Sequence, residues 1–121
     1  MNKREVGSFY EKQAAEYLKT QGYVILAQNF YTHFGEIDIV AREGRTFVFV
    51  EVKYRKNSGS GYPQEAVTAR KKNRMIQSAK YYLYRYGNYD REDMDCRFDV
   101  IAILGTKLTH IKHAFEVTEG C

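Results

Sequence analysis

Two strand-like runs joined by a short polar turn constrain the fold of this chain most strongly. GEIDIVA at residues 35–41 and TFVFVEVKYR at residues 46–55 are rich in β-branched and aromatic residues. Gly44 in the intervening REGR suits a tight turn, so the two runs predict an antiparallel hairpin. With YVILAQNF at residues 23–30 ahead of them, they predict a meander of three strands.

Segments with helical periodicity lie on both sides of this meander. From about residue 6 to residue 21, apolar residues recur at helical spacing, and Gly22 follows as a stop signal. A second helix is predicted from Pro63, which suits a first helical turn, to about Tyr86, with Gly87 ending it.

The remaining sequence completes the predicted topology. Residues 88–95 form a polar connection, residues 96–104 are a nearly continuous apolar strand, and residues 110–117 are a candidate final strand. The order α-β-β-β-α-β, with a helix crossing over between the third and fourth strands, predicts an α/β fold with a mixed sheet flanked by helices.

Length and composition narrow the class of protein. The 121 residues fit one domain, and the net charge of +4 favours a polyanionic partner, although many solvated proteins carry as much. Cys96 and Cys121 are too few and too poorly spaced for a disulfide framework or a zinc cluster, which fits a reducing compartment. Without an apolar leader or a membrane-spanning run, we expect a cytoplasmic protein with no membrane partner.

Charged residues interrupt the third strand where a small domain usually buries its side chains. Alternation places Val48, Val50 and Val52 on one face of the strand. The other face carries Phe47, Phe49, Glu51 and Lys53.

The length of the turn decides which residues of the second strand meet Glu51. With a two- or four-residue turn centred on residues 43 and 44, Asp38 lies opposite Phe49, and Glu51 is its diagonal neighbour. Glu36 then faces Glu51 directly. An odd-length turn without a bulge would instead move Asp38 to the opposite face.

Two carboxylates placed diagonally are about 7–8 Å apart at the backbone, so they can lean together and hold one cation. The alternative is that Asp38 and Glu51 lie on a solvated face or at a strand end. Glu11 falls on the helical stripe that should face the sheet. It either contacts the metal or a metal-bound water, or it lies at the helix edge, where it reaches solvent or pairs with Lys53. Gly7, one turn earlier, would let a ligand approach closely.

An acid followed one strand later by acid-x-lysine, here Asp38 and then Glu51-Val52-Lys53, resembles the PD-(D/E)XK core of restriction-type endonucleases and Holliday-junction resolvases. More closely, the chain resembles the YraN family, also called UPF0102, over nearly its whole length. The residues that carry this resemblance are Gly7 with Glu11, YVIL and NF, GEIDIVA, FVEVKYR, Gly61-Tyr62-Pro63 and RFDV. It implies a restriction-endonuclease-like core.

The resemblance also implies roles for the charged residues. Asp38 and Glu51 would ligate Mg²⁺ or Mn²⁺ with the carbonyl of Val52, and Glu11 would bind a second ion or a metal-bound water. Lys53 would orient the attacking water, or it forms a simple ion pair with Glu51. Such sites suit phosphodiester cleavage because cations neutralise the charge that develops at phosphorus.

Basic residues around the second helix are candidate contacts to nucleic-acid phosphates. The run ARKKNR at residues 69–74 opens this helix next to a flexible NSGSGYP loop, although such a run is often only a solvated face. The predicted contacts are Arg55, Lys56, Arg70, Lys71, Lys72 and Arg74.

Three further polar residues stay outside the predicted first ligand set. Asp99 enters an apolar strand but can cap it or pair with Arg97 or Arg55. Glu36 is a secondary ligand candidate, and His33, near the hairpin, either touches phosphate or has no such role.

The aromatic run near the end of the second helix and the terminal histidines have simpler interpretations. Tyr82, Leu83 and Tyr86 fit a core stripe better than a platform for stacking bases. His110 and His113 have HxxH spacing but no second ligand pair, so we expect ordinary surface histidines.

We therefore expect a metal-dependent endonuclease that hydrolyses DNA, with branched or junction DNA as the substrates that the resolvase resemblance implies. Cutting a four-way junction would favour a homodimer, because two sites would cut symmetric strands. The alternatives are a non-catalytic nucleic-acid-binding or adaptor module with the same fold, and a protein-interaction domain with an incidental acidic pocket.

Overall fold

A mixed five-stranded sheet carries one long helix on each face in the computed structural model, which describes residues 1–87 and 95–116. Both helices have 18 residues. The elements are α1 (Lys3–Thr20), β1 (Val24–Thr32), β2 (Gly35–Glu43), β3 (Thr46–Arg55), α2 (Ala69–Tyr86), β4 (Asp95–Leu104) and β5 (Lys107–Phe115).

The strands lie in the order β1-β2-β3-β4-β5. Strands β3 and β4 are parallel and are connected through α2, whereas the other neighbours are antiparallel. The α/β fold with a mixed sheet and a helical crossover is therefore confirmed, and it is consistent with a restriction-endonuclease-like core.

Alternation along β3 separates two hydrophobic cores, as the sequence predicts. Val48 and Val50 pack with Leu18 of α1, whereas Phe47 and Phe49 belong to the second core. Complete burial of a Leu or Phe side chain contributes roughly 1.5–3 kcal/mol. The second core receives Met75, Ala79 and Tyr82 from α2.

Both helices begin at positions that differ from the prediction. The Asn2 side chain accepts a hydrogen bond from the Glu5 amide at 2.9 Å and so starts α1 earlier. Pro63–Ala66 forms a separate 3-10 turn instead of the first turn of the second helix. The Thr68 hydroxyl caps α2 by accepting from the Lys71 amide at 3.2 Å.

The β2–β3 register differs from the predicted one by two residues. Glu43 pairs with Thr46, so the two-residue turn consists of residues 44 and 45, and Gly44 adopts a φ of 60°. Phe49 consequently pairs with Val40, and the predicted pairing of Asp38 with Phe49 is wrong. A shift of two residues preserves the alternation of side chains.

Several predictions concern the chain ends and the connections. Residues 88–94 of the predicted polar connection, residue 117 and Cys121 lie outside the described residues. Cys96 on β4 is disulfide-bonded rather than a free thiol, which the cysteine spacing does not predict. No helix within residues 1–87 and 95–116 is long and apolar enough to cross a membrane.

The aromatic end of α2 follows the predicted core stripe only in part. Tyr82 is buried and Leu83 packs against the second core. Tyr86 is 52% exposed, so its prediction as a core residue is wrong. Its ring still packs on Tyr82 and Phe30, with centroid distances of 5.1 and 6.0 Å, because the last helical turn passes the edge of the sheet.

Candidate metal centre

Carboxylates from α1 and β2 converge beside the point where the β2–β3 ladder stops. Glu11, Glu36 and Asp38 each offer an oxygen, and these oxygens all lie within 4.8 Å of one another. Glu36, a secondary candidate in the sequence, is therefore a full member of this group. Glu51 of β3 is close enough to act electrostatically on all three acids.

The end of the β2–β3 ladder holds Asp38 in place. Ile39 and Val50 form the last registered pair, and the Val52 amide then donates to Asp38 Oδ2 at 2.8 Å. The Val52 amide of β3 thus donates to a side chain of β2 and not to a backbone carbonyl of that strand. The register places Asp38, rather than Glu36, level with Glu51, so the predicted direct opposition of Glu36 and Glu51 is wrong.

Asn29 is a member of this site that sequence reasoning missed. With its amide nitrogen facing the acids, Asn29 donates to Glu11 Oε2 and to Glu36 Oε1, both at 2.7 Å. Its backbone has a φ of 52°, a left-handed conformation that Asn tolerates better than most residues. Two adjacent amide residues, Gln28 and Asn29, interrupt β1 and are the signal that could have pointed to this position, although they do not distinguish one amide from the other.

Glu51 is buried, with 1% of its surface exposed, and its two oxygens have different environments. Oε1 forms ion pairs with the Lys53 ammonium at 3.3 Å and with the Lys71 ammonium at 3.1 Å. Oε2 has no hydrogen-bond partner among the residues that the structure describes. An unsatisfied buried group of this kind costs on the order of 1–3 kcal/mol or more when it is charged.

Burial, together with crowded negative charge, shifts the protonation of the acids. Burial is the largest influence and, with the charges of Glu51, Glu11 and Glu36, it raises the pKa of Asp38 to about 9, against the opposing hydrogen bond from Val52. Burial likewise raises the pKa of Glu11. Without a cation Asp38 therefore holds a proton at neutral pH.

The same acids also raise the pKa of Lys71, and in a lysine this shift favours the charged form. Burial disfavours its charged form, but the charge and hydrogen bond of Glu51, with further help from Asp38 and Glu36, raise the pKa of the Lys71 ammonium. Lys71 therefore stays cationic beside a group of four acidic side chains. Among the residues that the structure describes, only two lysine side chains, Lys53 and Lys71, pair with this group of four acids.

The structure brings together Glu11, Asp38, Glu51 and Lys53, the four predicted catalytic residues. Val52 contributes its amide to Asp38, and the ligand role of its carbonyl stays a prediction. Apart from its chain neighbours and the nearby backbone of its own helix, no atom of the described residues lies within 4 Å of the position that a Cβ at Gly7 would take, so Gly7 borders open space.

The six predicted phosphate-contacting residues have different positions. Lys71 reaches Glu51, and the Lys72 ammonium lies 5.6 Å from the Phe115 ring centroid. Arg55 donates to the Tyr54 carbonyl at 2.9 Å. The three exposed members are Lys56, Arg70 and Arg74.

Asp99 belongs to a separate buried network on the α1 face of β4. It accepts from Arg97 Nε at 2.8 Å, from His110 Nε2 at 2.7 Å and from the His113 amide at 3.0 Å. Burial alone would raise the pKa of Asp99, but the hydrogen bonds from His110, Arg97 and the His113 amide lower it to about 2. The predicted pairing with Arg97, away from the metal ligands, is confirmed.

His110 corrects the prediction for the HxxH pair. Its side chain is only 4% exposed, and its Nδ1 lies 3.3 Å from the Tyr17 hydroxyl. The prediction of a surface histidine is wrong because alternation along β5 turns His110 towards α1, where Asp99 satisfies it. His113, with a side chain 55% exposed, is a surface residue as predicted.

Comparison with known proteins identifies the family. The model described as Uncharacterised protein family UPF0102 matches residues 10–103, which include all the carboxylates and lysines of the candidate centre. The chain belongs to the UPF0102 family. The UPF0102 protein of Lachnoclostridium phytofermentans is 50% identical over 116 residues, covering 96% of this chain and 97% of that protein.

More distant UPF0102 proteins also match along most of their length. That of Persephonella marina is 41% identical over 107 residues, covering 88% of this chain and 90% of that protein. The Escherichia coli UPF0102 protein YraN is 41% identical over 113 residues, covering 93% of this chain and 85% of its own. The similarity therefore extends over the whole fold and is not confined to the acidic motif.

Proposed function

We propose that this UPF0102 protein is an endonuclease that hydrolyses DNA phosphodiester bonds with Mg²⁺ or Mn²⁺. The observation that carries the proposal is the orphan Oε2 of buried Glu51, next to Asp38. A structural acid in a protein core normally has all its oxygens satisfied. A cation would satisfy this oxygen and relieve the repulsion around it.

The donors fit a hard divalent cation. Carboxylate oxygens suit Mg²⁺ and Mn²⁺, whereas zinc favours nitrogen and sulfur ligands. Asp38 and Glu51 would hold the ion, and Glu11 and Glu36, each with an oxygen within 4.8 Å of an oxygen of Asp38, would be available as further ligands. When bound, the ion supplies charge neutralisation at the phosphate and lowers the pKa of a water.

The two lysines supply the cationic part of the site. Lys53 and Lys71 approach Glu51 from a strand and from a helix, and their side chains are 24% and 34% exposed. Ammonium groups that are held in place but still reach solvent can contact phosphate oxygens. In this proposal Lys53 orients the attacking water and Lys71 stabilises the negative charge of the phosphate.

Charge distribution favours a nucleic acid as the substrate. The net charge is +4, although the candidate centre itself concentrates acids, so the excess of cations lies elsewhere on the surface. Arg70 and Arg74 are exposed along α2, next to Lys71. The resolvase resemblance favours branched DNA, and symmetric cutting of such DNA would require a homodimer.

A non-catalytic nucleic-acid-binding module is the second candidate. The two ion pairs of Glu51 favour it, because they neutralise one oxygen of this carboxylate without a metal. This candidate predicts metal-dependent or metal-independent binding of DNA with no turnover.

The decisive experiment is a cleavage assay on branched, linear and single-stranded DNA with Mg²⁺ or Mn²⁺. We expect cleavage by the native protein and by Glu16→Gln, an exposed acid on α1 that serves as the control. Asp38→Asn and Lys53→Ala should abolish it. Cleavage that both variants retain would indicate a contaminating nuclease, and binding without cleavage by the native protein would favour the non-catalytic module.

A further inference from the structure

Two exposed rings stand side by side in the turn between β1 and β2. The centroids of His33 and Phe34 are 3.9 Å apart, with an angle of 38° between the rings. Phe34 is 37% exposed and His33 is also exposed. We call these two residues the turn ring pair. Part of each residue is accessible to solvent, although the second core lies close by on the same strands.

Hydrogen bonds hold this turn against α2. Thr32 Oγ1 accepts from the Phe34 amide at 3.0 Å and lies 3.1 Å from the Gly35 carbonyl oxygen. The same hydroxyl is 2.9 Å from the hydroxyl of Ser78, which is fully buried on α2. A turn fixed at both the backbone and the helix presents its rings in one place, which lowers the entropy cost of binding a ligand.

The turn ring pair lies next to cations and to the candidate metal centre. A Cβ at Gly35 would lie 3.6 Å from the Cβ of Arg74, so the backbone passes directly against α2 there. Arg70, one helical turn earlier, is also exposed. Glu36, a member of the carboxylate group, immediately follows Gly35. Rings, guanidinium groups and metal ligands thus occupy one edge of the molecule.

We propose that the turn ring pair is a stacking subsite for an unpaired base of a DNA strand whose backbone runs past Arg70 and Arg74 to the carboxylates. Exposed rings beside cations match the two components of a single strand, its bases and its phosphates. Bases inside a duplex are already stacked and paired, so they cannot reach the rings. The substrate class is therefore DNA with unpaired nucleotides next to the cut, such as a flap or an open junction.

The inference rests on the proposed function for its ligand, so its test measures binding without cleavage. Fluorescence anisotropy measures the affinity of the native protein, Phe34→Ala and His33→Ala for labelled DNA. The two ligands are an oligothymidylate and a duplex of equal length, and each is measured in EDTA and in Ca²⁺. Stacking on one ring supports roughly five-fold to hundred-fold of affinity. We expect single-strand affinity to fall by about that range in Phe34→Ala, with duplex affinity unchanged.

Two variants control for general effects of removing a ring. Tyr84→Ala removes a tyrosine that is 80% exposed near the far end of α2, and it should leave both affinities unchanged. Phe34→Trp keeps a stacking surface and should retain single-strand affinity. A purely structural role for Phe34 would weaken duplex and single-strand binding alike and would overturn the proposal.

The remaining outcomes separate this inference from the nuclease proposal. Native single-strand affinity in both ring-pair variants would overturn the stacking subsite while leaving cleavage to be judged by its own assay. Failure of the native protein to bind any DNA would overturn the subsite as well. Loss of single-strand affinity in Phe34→Ala would support it even if the protein never cuts DNA.

Discussion

Lys71 of α2 lies 3.1 Å from Oε1 of the buried Glu51 of β3. The contact joins the crossover helix to the strand that carries the candidate metal ligands. Lys53 uses the same oxygen at 3.3 Å, which leaves Oε2 directed to neither lysine. One carboxylate can therefore hold two ammonium groups with one oxygen and a cation with the other.

This geometry predicts that Lys71 contributes to cleavage and not only to folding. Lys71→Met keeps the unbranched stem but removes the charge, and we expect kcat/KM for DNA cleavage to fall at least about ten-fold. The variant would lose the hydrogen bond from the Lys71 ammonium to a phosphate oxygen. A hydrogen bond to a charged group is worth roughly 1.5–3 kcal/mol, which corresponds to a ten-fold loss or more. Initial rates over a range of DNA concentrations will separate kcat from KM.

The matched control for Lys71 is Lys80→Met, which removes an exposed lysine from the same helix. Its rate should equal that of the native protein. Equal rates for all three proteins would show that Lys71 only neutralises Glu51 and takes no part in the reaction.

Much of the fold follows from local sequence patterns. The alternation in TFVFVEVKYR correctly assigns Val48 and Val50 to one core and Phe49 to the other, because one-residue steps along a strand invert the face. Crossover topology follows from the long helix between β3 and β4. These features depend on periodicity, which a single sequence displays directly.

The features that the sequence could not predict depend on longer-range geometry. Residues 44 and 45 form the turn, so Asp38 is level with Glu51, and no local pattern distinguishes this register from the predicted one. Burial of His110 depends on its meeting Asp99 across two strands. The reach of Lys71 to Glu51 depends on how α2 packs against the sheet.

A second prediction concerns metal binding in the absence of any substrate. Mn²⁺ should raise the melting temperature of the native protein, because a ligand at a hundred times its Kd stabilises the folded state by about 2.7 kcal/mol. Asp38→Asn should abolish the increase, whereas Glu16→Gln should retain it. Differential scanning fluorimetry over a Mn²⁺ series measures this. An increase of equal size in Asp38→Asn would place the metal elsewhere.

A third prediction concerns the pH dependence of stability without metal. The pKa of Asp38 is about 9 in the folded protein against an ordinary value of 3.8, so the folded state holds the extra proton between these limits. The free energy of unfolding should therefore fall as the pH rises from about 4 towards 9. Asp38→Asn should be more stable than the native protein at neutral pH and should lose less stability over this range.

Urea unfolding at a series of pH values in EDTA tests this prediction, and saturating Mn²⁺ should remove much of the decline in the native protein. A native protein whose stability is flat or rising between pH 5 and 9 would contradict the raised pKa assigned to the buried Asp38.

The last prediction concerns Asp99, whose pKa is shifted in the opposite direction. Its pKa is lowered from 3.8 to about 2, so its stabilising contribution is fully present above pH 4 and is lost as the pH falls through about 2. This difference corresponds to about 2 kcal/mol. Asp99→Asn should lower the free energy of unfolding at neutral pH by at least about this amount, because Arg97 and His110 lose their shared partner.

The control variant is Asp95→Asn, which changes an exposed acid on the same strand and should alter the free energy of unfolding little. Because Asp99 lies outside the metal centre, its variant should keep the Mn²⁺-induced increase in melting temperature, and loss of that increase would show that the two sites are coupled.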